Sequence, residues 1–166
     1  MVNIIDGNEE HIGTIVEIAE KTWLVTYASI LSADQLQYML QTIYSTTELK
    51  KVMQNGSQKF LILEDNNGFQ GFASFGVRSE NPSVSKLHKL YVLPHNQGKG
   101  YGKALIEEVK RRVLEKGIKS LDLNVNRYNP AKAFYEKLGF KIIREEDVPI
   151  GEYFMNDYVM RLTIAD

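Results

Sequence analysis

The sequence predicts a mixed α/β fold on one partly antiparallel sheet of about seven strands. Three observations lead there. Apolar residues recur at helical spacing in some segments and at strand spacing in others, in the order strand, two or three helices, three strands, helix, strand, helix, two strands. A loop rich in Asp, Asn and Gly joins two consecutive strand-like runs, so a hairpin interrupts any parallel arrangement. No repeat, low-complexity tract or Pro/Gly/Ser linker divides the 166 residues, which predicts one domain over residues 1–166.

Each element has its own cause. A short strand is expected at residues 2–5, then a helix whose face is Ile12, Ile15, Val16, Ala19 and Trp23. Ser32 with Gln35 reads as a capping box ahead of Leu36, Met39, Leu40 and Ile43, and a shorter helix follows at residues 47–54. Residues 60–64 and 71–77 read as a hairpin across Asp65, Asn66, Asn67 and Gly68, whose residue types tolerate positive φ. A longer strand at residues 84–93 runs into a glycine-rich turn. The next helix aligns Tyr101, Leu105, Val109 and Val113 and stops at Gly117. Leu121, Leu123 and Val125 alternate as a strand, Asn129 and Pro130 open another helix, and Gly139 closes it. Strands at residues 140–146 and 153–162 complete the order.

Composition excludes several function classes. The chain has no cysteine, which removes disulfides, thiolate zinc sites and a thiol nucleophile together. A formal charge of −1 argues against nucleic acid as a partner. No apolar run approaches the roughly 18–20 residues of a membrane span, and the start of the chain lacks a secretory pattern, so a cytoplasmic location is expected. His11 and His95 have no metal-ligand spacing, and no metal is expected. Charge is uneven: residues 1–85 carry 10 acids and 5 bases, residues 86–166 carry 11 acids and 15 bases. The basic half suits an anionic cofactor and the acidic half a cation, although two ordinary solvated surfaces would look the same.

The segment from Leu90 to Leu105 places Gly98, Gly100 and Gly102 between a strand and a helix start, with Lys99 and Lys103 beside them. Glycine lets amides converge in one concavity, and the helix N-terminus adds positive potential, a combination that binds phosphate. A P-loop would need glycine at Gln97 and Ser or Thr at Ala104; a dinucleotide fingerprint would need glycine at Lys103. What fits is Gln97-x-x-Gly100-x-Gly102, which resembles the coenzyme A pyrophosphate loop of the Gcn5-related N-acetyltransferase (GNAT) family. About 30 residues on, Asn129-x-x-x-Ala133-Phe134-Tyr135-x-x-x-Gly139-Phe140 is similar to the next block of that family. The specific resemblance covers residues 86–140, and the flanking helices and strands extend it over the chain.

That resemblance implies a mostly antiparallel twisted sheet with helices on both faces and a splayed central strand pair. It implies direct acetyl transfer from acetyl-CoA to an amine in a ternary complex. The thioester arm would pair with Leu90, Tyr91 and Val92, and the Leu90 N–H would face the thioester oxygen. The pyrophosphate would take amides from Gln97, Gly98, Lys99, Gly100, Tyr101, Gly102 and Lys103, with Asn129 on the pantetheine arm and Ala133 leaving it room. Tyr135 matches the tyrosine that protonates the departing sulfur, against the plainer reading of a packed aromatic. The base is expected at His88, nine residues before Gln97 where relatives often carry glutamate, with Glu80 as runner-up. Trp23, Tyr27, Tyr38, Tyr153 and Tyr158 are candidates for the acceptor pocket, where aromatic faces hold ammonium groups. The opening helices resemble the polyamine-acetylating branch. A protein N-terminus or lysine as acceptor and a silent coenzyme A sensor are the other readings, and family habit makes a homodimer one expected assembly.

Overall fold

A computed structural model describes residues 1–164. Its elements are β1 (Asn3–Gly7), α1 (Ile12–Tyr27), α2 (Ala33–Ile43), α3 (Thr46–Gln54), β2 (Lys59–Asp65), β3 (Gly68–Val77), β4 (Val84–Val92), α4 (Tyr101–Glu115), β5 (Ser120–Asn126), α5 (Ala131–Lys137), β6 (Lys141–Ile150) and β7 (Tyr153–Thr163). The strands form one seven-stranded sheet in the order β1-β2-β3-β4-β5-β7-β6. Only β4 and β5 run parallel, joined by the crossover through α4; the other neighbours are antiparallel.

The apolar run of β2 explains why helices cover both faces. Phe60 and Ile62 point into the cluster built by α1, α2 and α3, whereas Leu61 and Leu63 point into the cluster built by α4 and α5. A strand apolar at every position has two faces to bury, and each face needs a helical layer. The helices carry matching stripes: Ile15, Ala19 and Trp23 on α1, and Leu105, Val109 and Val113 on α4, all buried.

Local signals act as the sequence indicates, with two exceptions. Gly117 and Gly139 adopt φ of 76° and 101° just past α4 and α5. Ser32 caps α2 by accepting from the Gln35 N–H at 3.1 Å, but the expected reciprocal bond is missing. The Gln35 amide instead donates to the Phe154 carbonyl at 3.3 Å, tying α2 to the last hairpin. Asn129 precedes the helix it caps by two residues, its Oδ1 accepting from the Ala131 N–H at 2.9 Å. No helix among the described residues is long and apolar enough to cross a membrane.

Candidate active site

Two strands part at the centre of the sheet. The parallel pairing of β4 with β5 covers only Val84↔Ser120 to Leu87↔Leu123, and nothing pairs the two strands beyond it. The divergence begins at His88, the extra residue of a bulge between the β3–β4 pairs Phe75↔Leu87 and Ser74↔Lys89. A bulge bends and twists its strand. The Leu93 N–H bonds to the Gln70 carbonyl on β3 at 2.9 Å, so the alternation of an antiparallel ladder turns Leu90 and Val92 the other way. Their amides face the gap where β5 has moved off.

The turn between β4 and α4 lies at the end of this gap. Gly98 and Gly100 have φ of 84° and 80°, and nothing lies within 4 Å of where a Cβ would be. The Gln97 and Lys99 N–H groups already donate to Pro94 and Asn96 carbonyls. The amides of Gly98, Gly100, Tyr101, Gly102 and Lys103 carry no such bond, the last three as the orphans of the first helical turn. The amide set open to an anion is thus narrower than the sequence suggests. Gly102 has a second role, since a Cβ there would sit 3.4 Å from the Phe134 ring. Lys103 is exposed, whereas Lys99 turns back to donate to Asn96 Oδ1 at 3.0 Å.

The hairpin of β2 and β3 buttresses the turn. The Tyr101 hydroxyl donates to Asp65 Oδ2 at 2.7 Å, and Gln70 Nε2 donates to Asp65 Oδ1 at 3.1 Å. Buried Asn96 donates to Gln70 Oε1, closing the chain of contacts. The Tyr101 bond, with the Asn67 amide, holds the Asp65 carboxyl below the usual range. The sequence marks Asp65 only as a hairpin-loop residue and gives Gln70 and Asn96 no role, and only the folded hairpin brings the three together at the turn.

Tyr135 on α5 packs edge-on against Phe134 and Phe140 and is 9% exposed. Burial, with the neighbouring Tyr91 phenol, pushes its pKa well up, and no hydrogen bond contributes. Asn129 is partly engaged: its Nδ2 donates to the Tyr27 hydroxyl at 3.2 Å, bridging α1 to the start of α5. Ala133 is exposed on α5.

His88 departs from the expected imidazole. Protein around the ring is the main cause, and Lys86, Lys89 and Arg78 add to it, lowering its pKa to about 3, although the residue as a whole is exposed. A ring so reluctant to take a proton is a poor match for an ammonium. Glu80 lies on an exposed loop with its carboxylate on Arg78 Nη1 at 3.1 Å, and its own amide and that arginine lower its pKa.

The acceptor candidates separate by sheet face. Trp23 and Tyr27 are buried on α1, their rings 4.7 Å apart, and the Trp23 ring also meets Tyr91 and Tyr44. Tyr153 pairs with Tyr38 at 5.4 Å where the β6–β7 hairpin meets α2. Tyr158 packs on the α5 side, with Arg127 and Lys132 over its ring. On the α1 side, β5 and β7 present Asn124, Asn126 and Asp157, three polar residues for which the sequence carries no local signal. Beside them Asp122 is fully buried and accepts from Arg78 Nε at 3.1 Å and Arg161 Nε at 2.7 Å. Among the described residues no group of three His, Asp or Glu is placed to hold a metal ion.

Free amides at a helix start beside an unpaired strand edge form a candidate site for an extended, phosphorylated cosubstrate, with the polar residues of β5 and β7 beyond the gap. Comparison with known proteins identifies the family. The acetyltransferase (GNAT) domain family matches residues 27–156. A spermidine N(1)-acetyltransferase of Thermoplasma acidophilum is 28% identical, over 88% of this chain and 90% of its own length. The crystal structure of the PaiA N-acetyltransferase of that organism in complex with coenzyme A superposes with a TM-score of 0.82 at 27% identity, over 98% of this chain and 99% of that one. The [ribosomal protein bS18]-alanine N-acetyltransferase of Haemophilus influenzae is 34% identical over 52% of this chain and 58% of its own length. The chain belongs to the GNAT family. It is an N-acetyltransferase, and its cosubstrate is acetyl-CoA.

Proposed function

We propose that the protein transfers the acetyl group directly to a primary amine of a small molecule, a polyamine-like acceptor being the first to test, within a ternary complex. The observation that carries this reading is the parting of β4 from β5, with the Leu90 and Val92 amides unpaired beside Tyr135. Acetyl-CoA supplies the activated acyl group, and the chain supplies position and charge stabilisation. The amides of Gly98, Gly100, Tyr101, Gly102 and Lys103 hold the pyrophosphate; those of Leu90 and Val92, with Tyr91 between them, hold the arm. The Leu90 N–H faces the thioester oxygen, and a donor so placed contributes about 3 kcal/mol to the transition state. Tyr135 gives its proton to the departing sulfur. Gln97, Lys99, Asn129 and Ala133 shape the channel, and His88 and Glu80 flank the acceptor end.

A small acceptor is favoured by the roof over that end. The β6–β7 hairpin is fastened to α2 by Gln35 and by the Tyr38–Tyr153 pair, and Trp23 and Tyr27 line the α1 side. The similar spermidine enzyme supports an amine of this size. A protein N-terminus is the second reading, supported by the similarity to the ribosomal-protein alanine enzyme.

Free-thiol release from acetyl-CoA, measured with polyamines, aminoglycosides, amino acids and short peptides, tests the proposal. Release that depends on a small amine is expected. Release with peptides alone would move the acceptor to a protein terminus, and tight coenzyme A binding without release would favour a sensor.

A further inference from the structure

We infer that Asp157 is the anionic wall of the acceptor site, where its carboxylate receives the acceptor's ammonium group and takes one of its protons. The inference rests on the acetyltransferase reading above and extends it to a residue that no motif marks.

Asp157 is 7% exposed, on the α1 face of β7, opposite Asn126 in the β5–β7 register. Its Oδ2 accepts from Asn124 Nδ2 at 3.2 Å, but its buried Oδ1 has no hydrogen-bond partner among the described residues. The Asn124 Oδ1 is buried and unpartnered as well. Two neighbouring buried acceptor atoms therefore have no donor from the described residues, and a buried carboxylate oxygen calls for one. Arg127 does not repair the deficit, because its guanidinium goes to Asp147 at 3.1 Å and to the Asp157 backbone carbonyl at 3.4 Å. An ammonium brings three donors and the missing positive charge.

The position fits the chemistry. Asp157 lies on β7, which pairs with β5 on the edge away from the gap, and its charge is felt by the Tyr27 and Tyr91 phenols, of which Tyr91 neighbours Tyr135. The groups facing it are Lys86 and Tyr91 on β4, Tyr27 on α1, Asn124 on β5, Glu146 on β6 and Arg127 in the β5–α5 loop. Burial raises its pKa and Glu146 adds to that, against Asn124, Lys86 and Arg127. A carboxylate with strengthened proton affinity is better matched to an amine than His88 is.

The protons balance as follows. One ammonium proton passes to Asp157 Oδ1 and frees the nitrogen lone pair. The N–C bond to the acetyl carbon forms and the C–S bond breaks, and the sulfur takes the Tyr135 phenol proton. A second proton from nitrogen restores the phenol, and Asp157 releases its own to water.

The test compares Asp157→Asn and His88→Ala with the parent, using spermidine and an alanine-terminated peptide as probes. Asp157→Asn should keep coenzyme A affinity, lose spermidine binding to the coenzyme A complex in calorimetry, and lose about 100-fold or more in kcat/KM. The parent's rate should fall as acid protonates Asp157, and this limb should vanish in Asp157→Asn yet persist in His88→Ala. Stability separates a functional carboxylate from a structural one. With its folded pKa raised, Asp157 favours the fold below its unfolded value and loses that contribution as pH rises through the folded value. Asp157→Asn should therefore melt at or above the parent's temperature at neutral pH. A marked fall in melting temperature with a matching loss of activity would make Asp157 structural and overturn the inference. Parental turnover with unchanged kcat/KM and pH profile in Asp157→Asn overturns it alone. No turnover by the parent with either probe or across the wider amine panel overturns the acetyltransferase reading, and this inference with it.

Discussion

Tyr135 is the residue on which the proposed chemistry turns. Its ring is packed like a core aromatic, and its raised pKa keeps it protonated through neutral and alkaline pH. It is thus a standing donor, though a weaker acid than a free phenol. Tyr135→Phe removes one hydroxyl from a ring whose packing is otherwise unchanged. The expected outcome is a fall in kcat of about 100-fold with coenzyme A affinity unchanged, measured by steady-state rates and calorimetry. Unaltered kcat would return Tyr135 to a packing role. This residue was legible because it sits inside a spaced motif. Asp157 was not, since its sequence neighbours Asn156 and Tyr158 say nothing of depth and its meaning depends on a missing partner. His88 was legible as a position, but its proton affinity is set first by the protein packed around the ring and then by Lys86, Lys89 and Arg78, which the fold gathers around it.

At the scale of elements, the turn before α4 and the gap between β4 and β5 work as one device. Gly100 sits at φ 80°, where a side chain costs about 1–2 kcal/mol, in a site with room for an anion. Gly100→Glu adds that strain and a negative charge where phosphate would lie. Coenzyme A binding should be lost in calorimetry while circular dichroism keeps its folded form; retained binding would mean that the pyrophosphate lies elsewhere. The elements were legible wherever period and punctuation agreed, as in α4, with its apolar stripe and Gly117. Strand ends were less so. β6 runs to Ile150, past its expected end at residue 146, because pairing with β7 continues to Ile150↔Tyr153 and no hydrophobic pattern announces an edge strand with so many exposed residues. The gap could be expected only from family resemblance, since its physical cause is a bulge that one sequence does not display.

At the scale of the whole molecule, a lysine is buried in the core. Lys89 is 7% exposed, donates to Gln58 Oε1 at 2.7 Å, and lies 5.7 Å from the centres of the Tyr44 and Phe60 rings. Burial lowers its pKa from 10.5 to about 8. The unfolded chain then binds this proton more tightly than the folded one, so stability rises with pH across about 8–10.5 and is lowest below that window. Lys89→Met should raise stability at pH 7 by about 1–3 kcal/mol and flatten this rise, which melting curves from pH 7 to 10 would register. An unchanged slope would locate the proton affinity elsewhere.

The same scale holds the central claim, that the two halves of the sheet hold acetyl-CoA and the amine together and that the acetyl group passes between them without resting on the protein. The chain has no cysteine to take the group, and the proposed cleft joins both substrates at the parted strands. Initial rates with acetyl-CoA and the amine varied together measure this directly. Reciprocal plots that intersect are the expected result, because both substrates must be bound before either product leaves; parallel lines would indicate an acetylated enzyme and contradict direct transfer.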